Sequence, residues 1–227
     1  MNIFIVPSCI KSLVGKINYQ DRYDQTLKTF DTVRKQVKDS VIIFCDSSIG
    51  GLDEEQKSVI SSKVDHYIDF SNDSIAQQIN QAGQKSIGES YLLGHSILYA
   101  KAHMDLNKEG RMFKLGGRCE LLEEFTMDDY KDTSGKYVFK KRLNSWKDEQ
   151  SQMGATHLLE TRLYSWSLDM VDEYLSILDK NFALLNQGLD TEHAHFLNIP
   201  KEKLLEFEVL NVGAMIAGYT SSFYIKD

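Results

Sequence analysis

The chain has 227 residues, 42% hydrophobic and 26% charged, with a formal net charge of −7. That length supports a core without covalent staples, and the negative balance excludes general binding to nucleic acid or anionic membrane surfaces, which demand a basic face. Three cysteines, Cys9, Cys45 and Cys119, are too few and too scattered for a disulfide framework or a zinc spacing, so a reducing, cytoplasmic setting is expected.

The opening "MNIFIVPSCIK" has no basic leader and reads as a first strand over 2–7 rather than a signal peptide. No apolar run approaches the roughly 18 residues of a membrane span. Residues 22–37 place Tyr23, Leu27, Phe30, Val33 and Val37 on one helical face. "VIIFCD" (41–46) is a second apolar strand, 54–64 a second helix and "HYIDF" (66–70) a third strand. A helix follows, capped by Ser71, Asn72 or Asp73. Residues 85–104 form a broadly apolar helix with His95 as a core histidine, and "MFKL" (112–115) a fourth strand. The tract 126–153 is charged, with 137–143 as a surface strand or flap edge. Residues 157–167 read as a strand, 167–187 as an amphipathic helix, "TEHAHF" as a helix capped by Thr191, and 207–218 as a last strand ending in a glycine-punctuated turn.

This alternation predicts an α/β fold, a mostly parallel sheet flanked by helices. In such sheets ligands bind beyond the carboxyl ends of the strands, which singles out Pro7, Ser8, Asp46, Ser47, Asn72 and Asp73. "KSIGE" opens a helix, and its lysine and amides suit an anion, so Lys85, Gly88 and Glu89 join the set. In "LGGRCEL", Arg118 at the end of a buried strand needs a partner: a carboxylate, or a ligand phosphate reached by its planar fork. Gly117 would admit a ligand close to the backbone. Glu160 and Arg162 share one strand face and either pair with each other or serve as base and positioning group. His193 and His195 sit two apart on an expected helix, where their side chains diverge and no shared metal site forms.

The ordered set "IVPSC", "IIFCDSS", "KSIGESYLL", "MFKLGGRCEL", "ETRLYSW" and "TEHAHFLNIP" resembles small GT-A-type glycosyltransferases of bacteria and large viruses, over residues 2 to 218. The resemblance implies one GT-A-like domain, with 1–110 as nucleotide-binding half and 111–227 as donor and acceptor half. It implies transfer of a sugar from a nucleotide-diphosphate donor to a carbohydrate or glycoconjugate acceptor. The base would lie by Pro7, Ser8 and Asp46, and the diphosphate by Lys85, Gly88 and Arg118. Glu192, Glu160 and His195 are the candidate proton acceptors, and Trp166 could stack on a sugar ring.

GT-A enzymes usually carry Asp-x-Asp for Mn²⁺ or Mg²⁺, where this chain reads Gly116-Gly117-Arg118-Cys119-Glu120. Glu120 is at most a lone ligand, and an arginine can neutralise a leaving diphosphate instead; a metal-free site is the favoured expectation. Two alternatives stay open: a non-catalytic nucleotide- or sugar-binding module, and a nucleotidyltransferase, which would need paired carboxylates.

Overall fold

The structure is a computed structural model that describes residues 1–14, 17–106, 109–148, 153–217 and 222–227. In chain order its first half comprises β1 (Asn2–Ser8), α1 (Tyr19–Gln36), β2 (Ser40–Asp46), α2 (Glu54–Lys63), β3 (His66–Asp69), α3 (Ser74–Gln81) and α4 (Lys85–His103). The second half holds β4 (Arg111–Leu115), β5 (Cys119–Leu121), β6 (Tyr137–Lys140), β7 (Leu143–Asn144), β8 (His157–Leu158), β9 (Leu163–Ser167), α5 (Val171–Leu185), α6 (Thr191–Asn198), β10 (Leu204–Phe207), β11 (Val212–Ala217) and β12 (Ser222–Lys226).

Seven strands form one sheet in the order β10-β6-β9-β4-β1-β2-β3. β1 pairs in parallel with β2 and β4, and β2 with β3, as the βαβ alternation requires. β9 alone runs antiparallel, between β4 and β6. The two expected halves are therefore joined across the centre of one sheet, where Phe4 stands opposite Phe113 and the rings stack 4.6 Å apart.

Alternation along β1 feeds two cores. Ile3 and Ile5 point into a layer with α4 and α5, contributed by Leu92, Ile97, Tyr174 and Ile177. Phe4 and Val6 point to the opposite layer with Phe30 and Val33 of α1. A small antiparallel sheet, β12-β11-β5, and the β7–β8 hairpin sit beside this three-layer body. Among the described residues no helix is long and apolar enough to cross a membrane.

Local signals explain the helix starts. Asp53 makes a capping box with Gln56, and Asp73 accepts from the Ala76 amide. Several expectations need correction. Thr191 is the first residue of α6, and Asp190 caps it through the His193 amide. β6 is no flap edge: Tyr137, Val138 and Phe139 are buried, because β10 covers its outer side. The stretch 157–167 is two strands, β8 and β9, and 207–218 holds the end of β10 and then β11. Gly218, the end of the expected glycine-punctuated turn, lies outside the described residues. His95 is exposed, its ring 4.4 Å from that of Tyr91.

Candidate active site

β1 and β2 end in register, Pro7 opposite Cys45 and Ser8 opposite Asp46. The chain leaving β1 must turn back, and Asp46 organises that turn. Its carboxylate accepts the Ile10 and Ser48 amides, each at 3.0 Å. The side chain is wholly buried, and burial lifts its pKa to about 6 against the pull of those hydrogen bonds. Asp46 thus does not face a nucleobase or ribose: both oxygens are spent on the protein's own backbone.

Beyond the turn lies a cleft of roughly 150 Å³. Pro7, Ser8, Arg22, Ser47 and Arg118 line it, and the start of α4 contributes Lys85, Gly88 and Glu89. Seven of the sequence-predicted residues meet here: Pro7, Ser8, Ser47, Lys85, Gly88, Glu89 and Arg118. The α3–α4 corner is tied to the sheet edge by Asn80, whose side-chain amide donates to the Ser47 carbonyl at 2.6 Å. Gly88 permits that packing, because a Cβ there would stand 3.2 Å from Cγ2 of Ile79.

The cleft is electropositive. Arg22 donates to the carbonyls of Ile17, Cys9 and Val14, which brace it without neutralising it. Burial, then the nearby Arg118 charge, lower the Arg22 pKa. Burial, then Arg118 and Arg22, lower that of Lys85. Neither Lys85 nor Arg118 makes an ion pair among the described residues. Three cations gathered in one cleft, none of them paired with a carboxylate among the described residues, form a cradle for a multiply charged anion. Arg22 escaped the sequence reading, although a basic residue near a helix N-terminus, against the helix dipole, is a signal.

The remaining predicted residues lie elsewhere. Gly117 is buried beneath β1, and the close approach it allows is by Pro7 and Ser8. Arg162 pairs with Glu160 at 2.7 Å, and Lys140 lies 3.4 Å from the same carboxylate. Glu120, on β5, is held by Lys28 and by the Tyr224 hydroxyl, both at 2.6 Å. His195 is fully buried: its Nδ1 donates to the Thr191 carbonyl at 2.8 Å and its Nε2 accepts from the Tyr174 hydroxyl at 2.9 Å. Burial pulls its pKa down to about 4, so it is a neutral core histidine and no site base. Trp166 is also fully buried, stacked 4.0 Å from Tyr174, and cannot meet a sugar. Glu192 is half-buried, accepts the Thr161 hydroxyl at 2.7 Å, and has its pKa raised by burial.

The donor set does not fit a protein-held divalent cation. Among the described residues no three His, Cys, Asp or Glu side chains converge, and Glu89 and Glu120 are each taken by a lysine.

No protein-family model matches the chain, and no curated protein does. Solved structures match its fold. The mannosyltransferase Ktr4p from S. cerevisiae, solved in complex with GDP, aligns with a TM-score of 0.52 and 11% identity, covering 91% of this chain and 68% of that one. An active-site mutant of LgtC gives 0.52 and 10%, covering 91% and 72%. The bifunctional enzyme WbbM in its apo form gives 0.51 and 6%, covering 90% and 38%. At such identities the likeness concerns architecture, and this chain has the GT-A fold that these glycosyltransferases share.

Proposed function

We propose that the protein is a glycosyltransferase that moves a sugar from a nucleoside-diphosphate donor to a hydroxyl of a carbohydrate or glycoconjugate. One observation carries the reading: Arg22, Lys85 and Arg118 converge, without carboxylate partners among the described residues, at the carboxyl edge of a GT-A sheet. That edge is where nucleotides bind in open α/β sheets.

In the reaction the bond from the anomeric carbon to the diphosphate oxygen breaks, and the acceptor oxygen forms its own bond to that carbon. Negative charge builds on the leaving diphosphate, where fixed cations lower the barrier. Here Arg118, Lys85 and Arg22 supply that charge, so transfer proceeds without a protein-held metal. The acceptor hydroxyl gives its proton to a carboxylate. Glu160 is neutralised by Arg162 and Lys140 and His195 is sealed in the core, which leaves Glu192. Burial raises its proton affinity, as suits a group that must keep a proton taken from a hydroxyl. Three free thiols, Cys9, Cys45 and Cys119, accord with a cytoplasmic setting. Among the described residues no carboxylates converge, which disfavours a nucleotidyltransferase.

The test is a melting-temperature panel with UDP- and GDP-sugars, with and without Mn²⁺ and with EDTA. A ligand bound to the folded state raises the midpoint by linkage. At least one donor should raise it, EDTA should leave that rise intact, and a flat panel rejects the function.

A further inference from the structure

Resting on the reading of the cleft as a donor site, we propose that Glu89 grips the hydroxyls of the transferred sugar and that Lys114 is its positioning residue. The pair would make the enzyme select neutral, hydroxyl-rich sugars over acidic ones.

Glu89 is the one carboxylate among the described residues that line the cleft. It stands one helical turn after Lys85, the spacing at which two side chains of α4 can meet. Glu89 instead pairs with Lys114 of β4. The Lys114 side chain is 3% exposed and that of Glu89 37%. The ammonium also donates to the Thr161 carbonyl at 2.5 Å and lies 5.8 Å above the Tyr164 ring.

A buried ammonium is costly unless it is paired, so Lys114 anchors the carboxylate where it is. Two consequences follow. Glu89 cannot swing round to neutralise Lys85, which stays available to an anion. And the partly exposed carboxylate keeps lone pairs open to the cleft. An ionised carboxylate accepts hydrogen bonds and donates none, so the group it fits is a hydroxyl. A sugar carboxylate in the same place would meet like charge.

The two charges thus sort the donor: unpaired cations take the diphosphate, and a matched carboxylate takes the uncharged sugar. The motif "KSIGE" supplies one residue to each task.

The experiment is calorimetric titration of wild type, Glu89→Gln and Lys114→Met with UDP, GDP, UDP-glucose, UDP-galactose, GDP-mannose and UDP-glucuronate. In Glu89→Gln the responding nucleoside diphosphate should bind as in wild type. Its neutral sugar conjugate should bind roughly 10-fold or more weakly, the worth of a charge-assisted hydrogen bond. The wild type should discriminate against UDP-glucuronate, and Glu89→Gln should narrow that gap. Lys114→Met should weaken the sugar conjugate more than the diphosphate, whose smaller loss comes from Glu89 turning towards Lys85, a split that a merely structural lysine would not produce; Lys114→Arg should restore part of both. Equal weakening of diphosphate and sugar conjugate, or no weakening of either, overturns the proposal while leaving the donor site standing. If wild type binds neither diphosphates nor sugar conjugates, the donor site itself is rejected and the proposal goes with it.

Discussion

Gly117 and Ser8 are in contact across the mouth of the sheet: a Cβ on Gly117 would stand 2.9 Å from the Cβ of Ser8 and 3.1 Å from the Pro7 carbonyl oxygen. This is why a buried strand ends in two glycines. At the neighbouring Gly116, a Cβ would stand 3.0 Å from the Cys119 sulfur. The turn is pressed against the end of β1, and so Arg118 is delivered beside Ser8. Gly117→Ala should therefore force the turn outward, cost about 1–3 kcal/mol by overpacking and weaken diphosphate binding. Urea denaturation and a UDP or GDP titration check both; an unchanged midpoint contradicts the packing account.

Arg118→Ala removes a cation that has no ion-pair partner among the described residues. Its unfolding free energy should stay within about 0.5 kcal/mol of wild type, because repulsion with Lys85 and Arg22 is relieved. Diphosphate affinity should fall roughly 10-fold or more, and the loss should shrink at high salt. Wild-type affinity in Arg118→Ala would sink the assignment.

His195 predicts a pH dependence of stability. Its pKa falls from 6.5 to about 4 on folding, so the unfolded chain takes up a proton that the native core refuses. Stability present above 6.5 is lost as pH falls through that window. The change is about 3–4 kcal/mol at most, at roughly 1.4 kcal/mol per unit. Denaturation at pH 7.5 and 4.5 should show this slope, and His195→Gln should lack that part of it. An identical slope in the variant rules it out. Turnover in His195→Gln, measured where it is folded, should remain, since the imidazole touches no substrate.

Trp166→Ala should cost about 3–5 kcal/mol, as truncation of a large buried ring does. Trp166→Phe should cost less than its lost volume suggests, because the indole N–H is buried without a partner and its removal relieves an unsatisfied donor. Thermal denaturation separates the two. Sugar affinity of the folded variants should match wild type, contrary to a stacking platform.

The fold was legible because its first half obeys two periods: apolar runs at β1 and β2, and 3.6-residue spacing in α1. The edge rule then led to Pro7, Ser8 and Ser47, which line the cleft. It failed for Asp46, one residue before Ser47, because the sheet edge cannot reveal which way a carboxylate turns when two backbone amides compete for it. Trp166 was misread because β9 is buried on both faces, so alternation there does not mark an exposed side. Arg22 reaches the cleft from the first turn of α1, and Lys114 is matched to Glu89 across 25 positions of sequence. Pairings of that range leave no periodic trace.

The antiparallel strand β9 also sets an order of assembly during synthesis. A ribosome releases β1, β2 and β3 early, but the free edge of β1 waits for β4, and that of β4 waits for residues 163–167. Until then an apolar edge with Met112 and Phe113 beside it is open to other chains, the circumstance in which growing polypeptides aggregate. Fragments ending between β4 and β9 should accordingly be insoluble, and solubility should return only in those long enough to include β10, which closes the outer edge of β6.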